Sequence, residues 1–311
     1  MLLGLTLGPA AGTMTVSGQA LTAASLAAQS TSGNSRIQNN LQLGTDLSVQ
    51  GGPSFASQLL LQGTISGAGP LRLASGVTVI SGNNSYTGLT TVASGAVLGV
   101  SGLDTAGSAG LIVESGAQLQ LLRSGGSGFT QVTAPIQLGG LLSSIAKMGP
   151  DFLGFPAPAA LVSGPIRLTG DARMLAFGAT GTGCDSTERV VNSSVSRSGQ
   201  SLTLDTGGVN NTLRLSNTIN GDGDLLLRSE GGQLLVGGVS GNGTVRVAGS
   251  SGEVNLGAIS GAGLLDVGVG SVTAGGRSAV RATCASAAAA WCWQRLRTVS
   301  LAASSSRAAA P

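Results

Sequence analysis

The sequence predicts an all-β fold, a right-handed parallel β-helix, and three observations predict it. They are a high glycine content, a glycine-centred repeat at constant interval, and apolar residues alternating with polar ones after each repeat. Of 311 residues 52 are glycine, while only 9% are charged and 3% aromatic. Helix is disfavoured, because glycine costs roughly 1 kcal/mol in a helix interior and Val, Thr, Ser and Asn prefer strands and turns. A disordered coil is excluded as well, since 41% of the residues are hydrophobic and must be buried somewhere.

The repeat is explicit. Ile219-Asn220-Gly221-Asp222-Gly223-Asp224-Leu225 is followed 20 residues later by Val239-Ser240-Gly241-Asn242-Gly243-Thr244-Val245, and 20 later again by Ile259-Ser260-Gly261-Ala262-Gly263-Leu264-Leu265. An earlier copy is Ile65-Ser66-Gly67-Ala68-Gly69-Pro70-Leu71. Gly67, Gly69, Gly221, Gly223, Gly241, Gly243, Gly261 and Gly263 are the expected corners, where a positive φ is open to glycine. The residues that follow, such as Val245-Arg246-Val247, point alternately in and out. One turn of such a helix cannot bury its own apolar face, so turns must stack. The sequence divides into an N-terminal segment or cap (1–40), a solenoid (41–276) and a non-solenoid tail (277–311). About twelve turns over 41–276, at ~4.8 Å each, predict a rod of roughly 57 Å. Residues 142–161, apolar and rich in proline, and residues 179–200, polar and carrying Cys184, are expected loops. The first of these is the candidate partner contact.

Within the solenoid, Ser81-Gly82-Asn83-Asn84-Ser85-Tyr86-Thr87-Gly88-Leu89-Thr90-Thr91-Val92-Ala93-Ser94-Gly95-Ala96-Val97-Leu98 resembles the autotransporter-associated β-strand repeat. Gly82, Asn84, Tyr86, Gly88, Thr90, Thr91, Val92 and Gly95 carry the resemblance, with Leu98, and Ser85 stands where that repeat usually has Thr. Flanking stretches around Gly110–Leu119 and Gly164–Ala172 are similar to the rungs that surround the motif. The resemblance implies the passenger of a type V secreted protein of a Gram-negative bacterium, displayed at the cell surface or outer membrane or secreted. It implies a structural or adhesin-like rod without catalysis, carried by a C-terminal membrane barrel for which residues after 276 leave no room. Its ligands, on host or bacterial surfaces, are not identified by the resemblance. The alternatives are a β-helix carbohydrate-active enzyme, lyase or hydrolase, and a truncated open reading frame without function.

Composition narrows the chemistry. The chain has no histidine, which removes Ser-His-Asp and Cys-His catalysis and His-ligated zinc. Its formal charge of +3 conceals a body of −2 before residue 277 and a tail of +5, so no basic surface for nucleic acid is expected on the body. Cys184, Cys284 and Cys292 have neither disulfide nor zinc-knuckle spacing, and no apolar run is long enough for a transmembrane helix. The start lacks a basic residue before Arg36 and makes a poor secretory signal. Asp222 and Asp224 suggest a calcium-binding glycine-rich repeat, but the adjacent copies put Asn242/Thr244 and Ala262/Leu264 in their places. Asp205 with Asp224, and Asp185 with Glu188, are the only carboxylate pairs offered for glycoside chemistry, and solvated surface acids are the better reading of both. No catalytic residue, cofactor or metal is therefore assigned.

The tail changes composition abruptly. From Arg277 it holds five arginines, both tryptophans and no acid, where a further copy of the repeat is due. Reading each codon's third base with the first two of the next, residues 278–286 permit a copy of the glycine repeat and 298–307 a copy of the Tyr86-type motif. Trp291-Cys292-Trp293-Gln294 is then forced to Val-Leu-Ala. The expectation is a frameshifted tail that is disordered or weakly helical and leaves Trp291 and Trp293 exposed.

Overall fold

The computed structural model describes residues 4–284 apart from 10–11, 82–83, 102–108, 123–129, 146–159, 178–186, 209–210, 250–251, 262, 268–270 and 275–280. The described residues are all-β, with no helix, and form a parallel β-solenoid. Each turn passes through up to three strand positions, and each strand pairs in parallel with the strands one turn before and one turn after it.

The first face shows how sequence becomes stack. Leu47, Leu71, Thr90, Leu111, Ile136, Ile166, Val195, Ile219, Val239 and Ile259 pair consecutively in register. All ten are buried, and nine are aliphatic. Ile219, Val239 and Ile259 stack as the 20-residue period requires. These ten positions are the turns of the span 41–276, fewer than the twelve expected, and cover roughly 43 Å at ~4.8 Å per step. The shortfall has one cause. Successive partners Leu111, Ile136, Ile166 and Val195 are 25, 30 and 29 residues apart instead of 20.

The extra length is concentrated at one corner, after the second face. The second-face strands Gln118–Leu122, Leu141–Ile145 and Ala172–Phe177 pair in order, and the chain re-enters the third face at Thr130–Val132, Ala160–Val162 and Thr187–Val191. The expected loop 142–161 is therefore cut at both ends by strands. The loop expected at 179–200 contains Thr187–Val191 and Val195–Ser196, because Val190, Val191 and Val195 supply the apolar alternation a rung needs. Residues 146–159 and 178–186, with Cys184 and Asp185, lie outside the described residues.

Both ends of the expected solenoid shift. Leu5–Leu7, Met14–Val16, Ser25–Ala28 and Ser35–Ile37 pair in parallel with one another and with strands beyond residue 40, so residues 1–40 contribute turns and not a separate cap. Their short apolar triplets, Leu-Thr-Leu and Met-Thr-Val, are enough for one stacked strand each. At the other end, Arg281–Cys284 pairs in parallel with Leu264–Val267, so strand stacking enters the tail. Residues 285–311, with Trp291 and Trp293, lie outside the described residues.

Candidate functional site

Side chains that carry polar chemistry in this rod are spent largely on holding one turn to the next. At the Tyr86 motif, the ring is 1% exposed and is the largest fully buried side chain. Its hydroxyl shares a 2.7 Å hydrogen bond with Thr90 Oγ1, and Thr90 is the one polar member of the ten-residue ladder. A phenol inside an aliphatic core needs a partner, and a threonine four residues on supplies it. Burial pushes the Tyr86 hydroxyl up to about 12, with the Thr90 hydrogen bond acting the other way. Asn84 Oδ1 accepts from the Ile65 amide of the preceding turn at 2.8 Å, while Ser85 and Thr87 amides donate to the Ile65 and Gly67 carbonyls.

The other motif residues fall into place around that anchor. A Cβ on Gly88 would stand 2.0 Å from the Gly69 carbonyl oxygen, so glycine is required there for close approach. Thr91 faces outward between Arg72 and Ile112, and Val92 is fully buried. Gly95 takes a left-handed φ of +79° over open space. Gly82 lies outside the described residues. Sequence spacing thus identifies a structural unit, with Tyr86, Thr90 and Asn84 as its three bonded polar members.

The glycine corners work by backbone contact. Gly67, Gly221, Gly241 and Gly261 all have positive φ, as do Gly223 and Gly243. Gly69 and Gly263 do not share that conformation, which corrects the expectation for them. They are glycine because a Cβ would lie 2.3 Å from the carbonyl oxygens of Thr45 and Gly243 respectively. Asp222 Oδ1 accepts from the Asn242 amide and Asp224 Oδ1 from the Thr244 amide, at 2.7 and 2.8 Å. These aspartates are turn-to-turn acceptors, and no group of three metal-ligating side chains occurs among the described residues.

Two buried charged residues went unnoticed in the sequence. Arg197 is 5% exposed and donates to the carbonyl oxygens of Gly223 (2.6 Å) and Gly221 (2.7 Å) in the next turn. Desolvation pulls its guanidinium below the ordinary range, opposed by the nearby charges of Asp222 and Asp224. Asp205, 3% exposed, accepts from Arg173 at 2.6 Å and from the Gly207 amide at 2.8 Å, with Arg228 at 4.0 Å. Arg173 and Arg228 come from the turns on either side. Aligning Val195-Ser196-Arg197 with Ile219-Asn220-Gly221 would have shown Arg197 at an inward position. Nothing comparable flags Asp205, whose partners are set by the enlarged turns.

The carboxylate pairs do not assemble into a glycosidase centre. Leu202 pairs with Leu225, which sets Asp224 beside Ser201 and roughly 13 Å along the strand from Asp205. Both carboxylates are already bonded to groups of adjacent turns. Asp185 lies outside the described residues, and Glu188 pairs through its backbone with Thr212.

A distinct concavity lies at the corner between the first and second faces. The corner linking Val113 to Gln118 runs over four residues and that linking Leu168 to Ala172 over three, whereas only Gly139 and Gly140 link Leu138 to Leu141. The short corner is recessed between its longer neighbours. The resulting notch, open to solvent, is lined by Ser115, Gln118, Leu141, Asp171, Arg173 and Thr203 among others.

No protein-family model, curated protein or solved structure matches this chain.

Proposed function

We propose that the chain is a non-catalytic rod of the autotransporter-passenger kind, structural or adhesive, whose place is the surface of a Gram-negative cell. The observation that carries this reading is the bonded set Tyr86, Thr90 and Asn84. The residues that resemble the autotransporter-associated repeat are committed to stacking one turn on its neighbours, as a motif that serves a folded rod requires. A solenoid whose corners are closed by carbonyls and by carboxylate or amide acceptors is suited to extension and to the display of side chains along its faces. The rival enzyme reading is left without its carboxylate pair at Asp205 and Asp224.

Surface display tests the proposal. The full chain, placed between a secretory signal peptide and a transmembrane barrel in a Gram-negative host, is expected to reach the outside folded. It should be cleaved by externally added protease only at sites outside the solenoid strands. Retention in the periplasm, or complete degradation at the surface, would overturn the reading. Release of reducing sugars from a polysaccharide panel by the purified chain would favour the enzyme instead.

A further inference from the structure

We infer that the notch at Gly139–Gly140 is a binding site for a neutral oligosaccharide chain lying along the rod axis. This goes beyond the rod reading and does not depend on where the chain is displayed.

The notch is built by the sequence. At Gly140 a Cβ would come within 2.4 Å of the Ala117 carbonyl oxygen and 2.5 Å of that of Glu114, so the chain can pass this close to the preceding turn only as glycine. The two-residue corner therefore sits below the rims formed by Ser115 and Gly116 on one side and Asp171 on the other, all of them exposed. Along the floor, Gln118, Leu141, Arg173 and Thr203 occupy one outward register position in four successive turns. Their spacing is the ~4.8 Å step of the sheet, similar to the advance of one pyranose unit in an extended chain.

Chemistry selects the occupant. A peptide strand would need an open sheet edge, but the backbone here is paired turn to turn: the Leu141 amide donates to Ala117 O and the Ala172 amide to Ser201 O. A polyanion would need net positive charge, yet Arg173 faces Asp205 and stands two residues from Asp171. An apolar ligand would meet Leu141 and mostly polar neighbours. A neutral, hydroxyl-rich chain fits what remains. Asp171 uses Oδ1 to accept from the Ser201 amide at 2.8 Å and can accept from sugar hydroxyls at its other oxygen. Gln118, held at 2.8 Å from Ser143 Oγ, offers its amide, and Arg173 offers N–H groups besides the one given to Asp205. Leu141 supplies an apolar patch for a ring face. With no aromatic platform in the lining, affinity is modest, with Kd on the order of 0.1–10 mM.

The test is a titration of the full chain with neutral hexasaccharides of glucose, galactose, mannose and N-acetylglucosamine, followed by backbone amide NMR. At least one should shift the Gly139, Gly140, Leu141 and Ser201 amides saturably and leave the Ile219, Val239 and Ile259 amides unmoved. Leu141→Trp fills the floor and Ser115→Trp blocks the rim from an exposed position that the core does not use. Each should weaken binding at least about ten-fold, which is about 1.4 kcal/mol, while Thr91→Trp on the neighbouring face changes nothing. If Leu141→Trp fails to fold, Ser115→Trp alone decides. Shifts for no sugar up to about 10 mM, shifts mapping elsewhere, or unaltered binding in Ser115→Trp would overturn the inference. Surface display of the chain is a separate measurement, so failure of either proposal is read without the other.

Discussion

Two regions of the rod fill the same inner position in opposite ways. From Leu73 through Val92, Val113 and Leu138 to Leu168, a ladder of aliphatic side chains in register closes the end of the first face. All five are essentially fully buried. One step beyond the pairs Arg167 with Ser196 and Ser240 with Ser260, the corresponding residues are Arg197 and then Gly241 and Gly261. There is no side chain left to pack, and the corner backbone descends onto the turn below. Arg197 stands at the changeover, where its guanidinium caps the carbonyls of the first glycine corner. The aliphatic region tolerates turns of 19 to 30 residues, because side-chain stacking does not fix the length of the corners. In the glycine region the corners touch each other directly, and the period is locked at 20.

The largest effect expected is at the aromatic anchor of the aliphatic region. Tyr86→Ala removes the biggest buried side chain and leaves Thr90 Oγ1 in an apolar core without its partner, so it should cost about 3–5 kcal/mol of unfolding free energy in denaturant titrations. Tyr86→Phe keeps the ring and should cost about 1–2 kcal/mol. Equal costs for the two would mean that the ring contributes nothing and that the hydrogen bond carries the site.

The glycine corners come next, and they sharpen the comparison because strain and contact can be separated. Gly241 has φ +117°, and its Cβ would meet Gly221 O at 2.3 Å, whereas Gly95 has φ +79° with open space around it. Gly95→Ala should cost only the left-handed strain, about 1–2 kcal/mol. Gly241→Ala adds a clash with fixed backbone and should reach about 3 kcal/mol. If the two substitutions prove equal, backbone stacking is not what sets the 20-residue period.

A pH experiment probes the anchor without changing its shape. The Tyr86 hydroxyl titrates at 10.0 in the unfolded chain and at about 12 in the fold. Stability from this group is whole below pH 10 and is lost as pH rises towards 12, since the unfolded state sheds its proton first. The loss is about 2–3 kcal/mol relative to Tyr86→Phe over that interval. Buried Arg189, pushed down to about 10 by desolvation, acts with the opposite sign, because the folded state releases that proton first. The difference between the wild type and Tyr86→Phe, measured at matched pH, cancels it. A flat difference from pH 9 to 12 would show that the phenol reaches water.

Much of this architecture was legible in the sequence, for identifiable reasons. Ile219, Val239 and Ile259 announce their stacking because the contacts lie at a fixed separation in the chain, and Gly-x-Gly marks the corner by a backbone need that no other residue meets. Leu5–Leu7 and Met14–Val16 escaped notice because a three-residue strand carries too few alternations to stand out. The enlarged turns hid Asp205 in the same way: its partner Arg173 is 32 residues away, and no period points to it. The notch is invisible for a related reason. It arises from a two-residue corner lying between longer ones, and only the pairing register reveals which corners are neighbours.

The smallest effect expected is at the acceptors that dress the glycine corners, and it decides whether those side chains matter to the locked period. Asp222 Oδ1 takes the Asn242 amide at 2.7 Å in an exposed setting, where water competes for the same donor. Asp222→Ala should therefore cost only about 0.5–1.5 kcal/mol. Asp222→Asn retains an acceptor oxygen and should fall at the low end of that range or below it, losing chiefly the charge that faces Arg197. Hydrogen exchange at the Asn242 amide gives the local readout: it should quicken in Asp222→Ala and change little in Asp222→Asn. If both variants exchange alike, the corner amide is protected by the stacked glycine backbones alone. The carboxylate would then belong to the solvated surface, leaving Gly221, Gly241 and Gly261 as the whole of the device that keeps the period at 20.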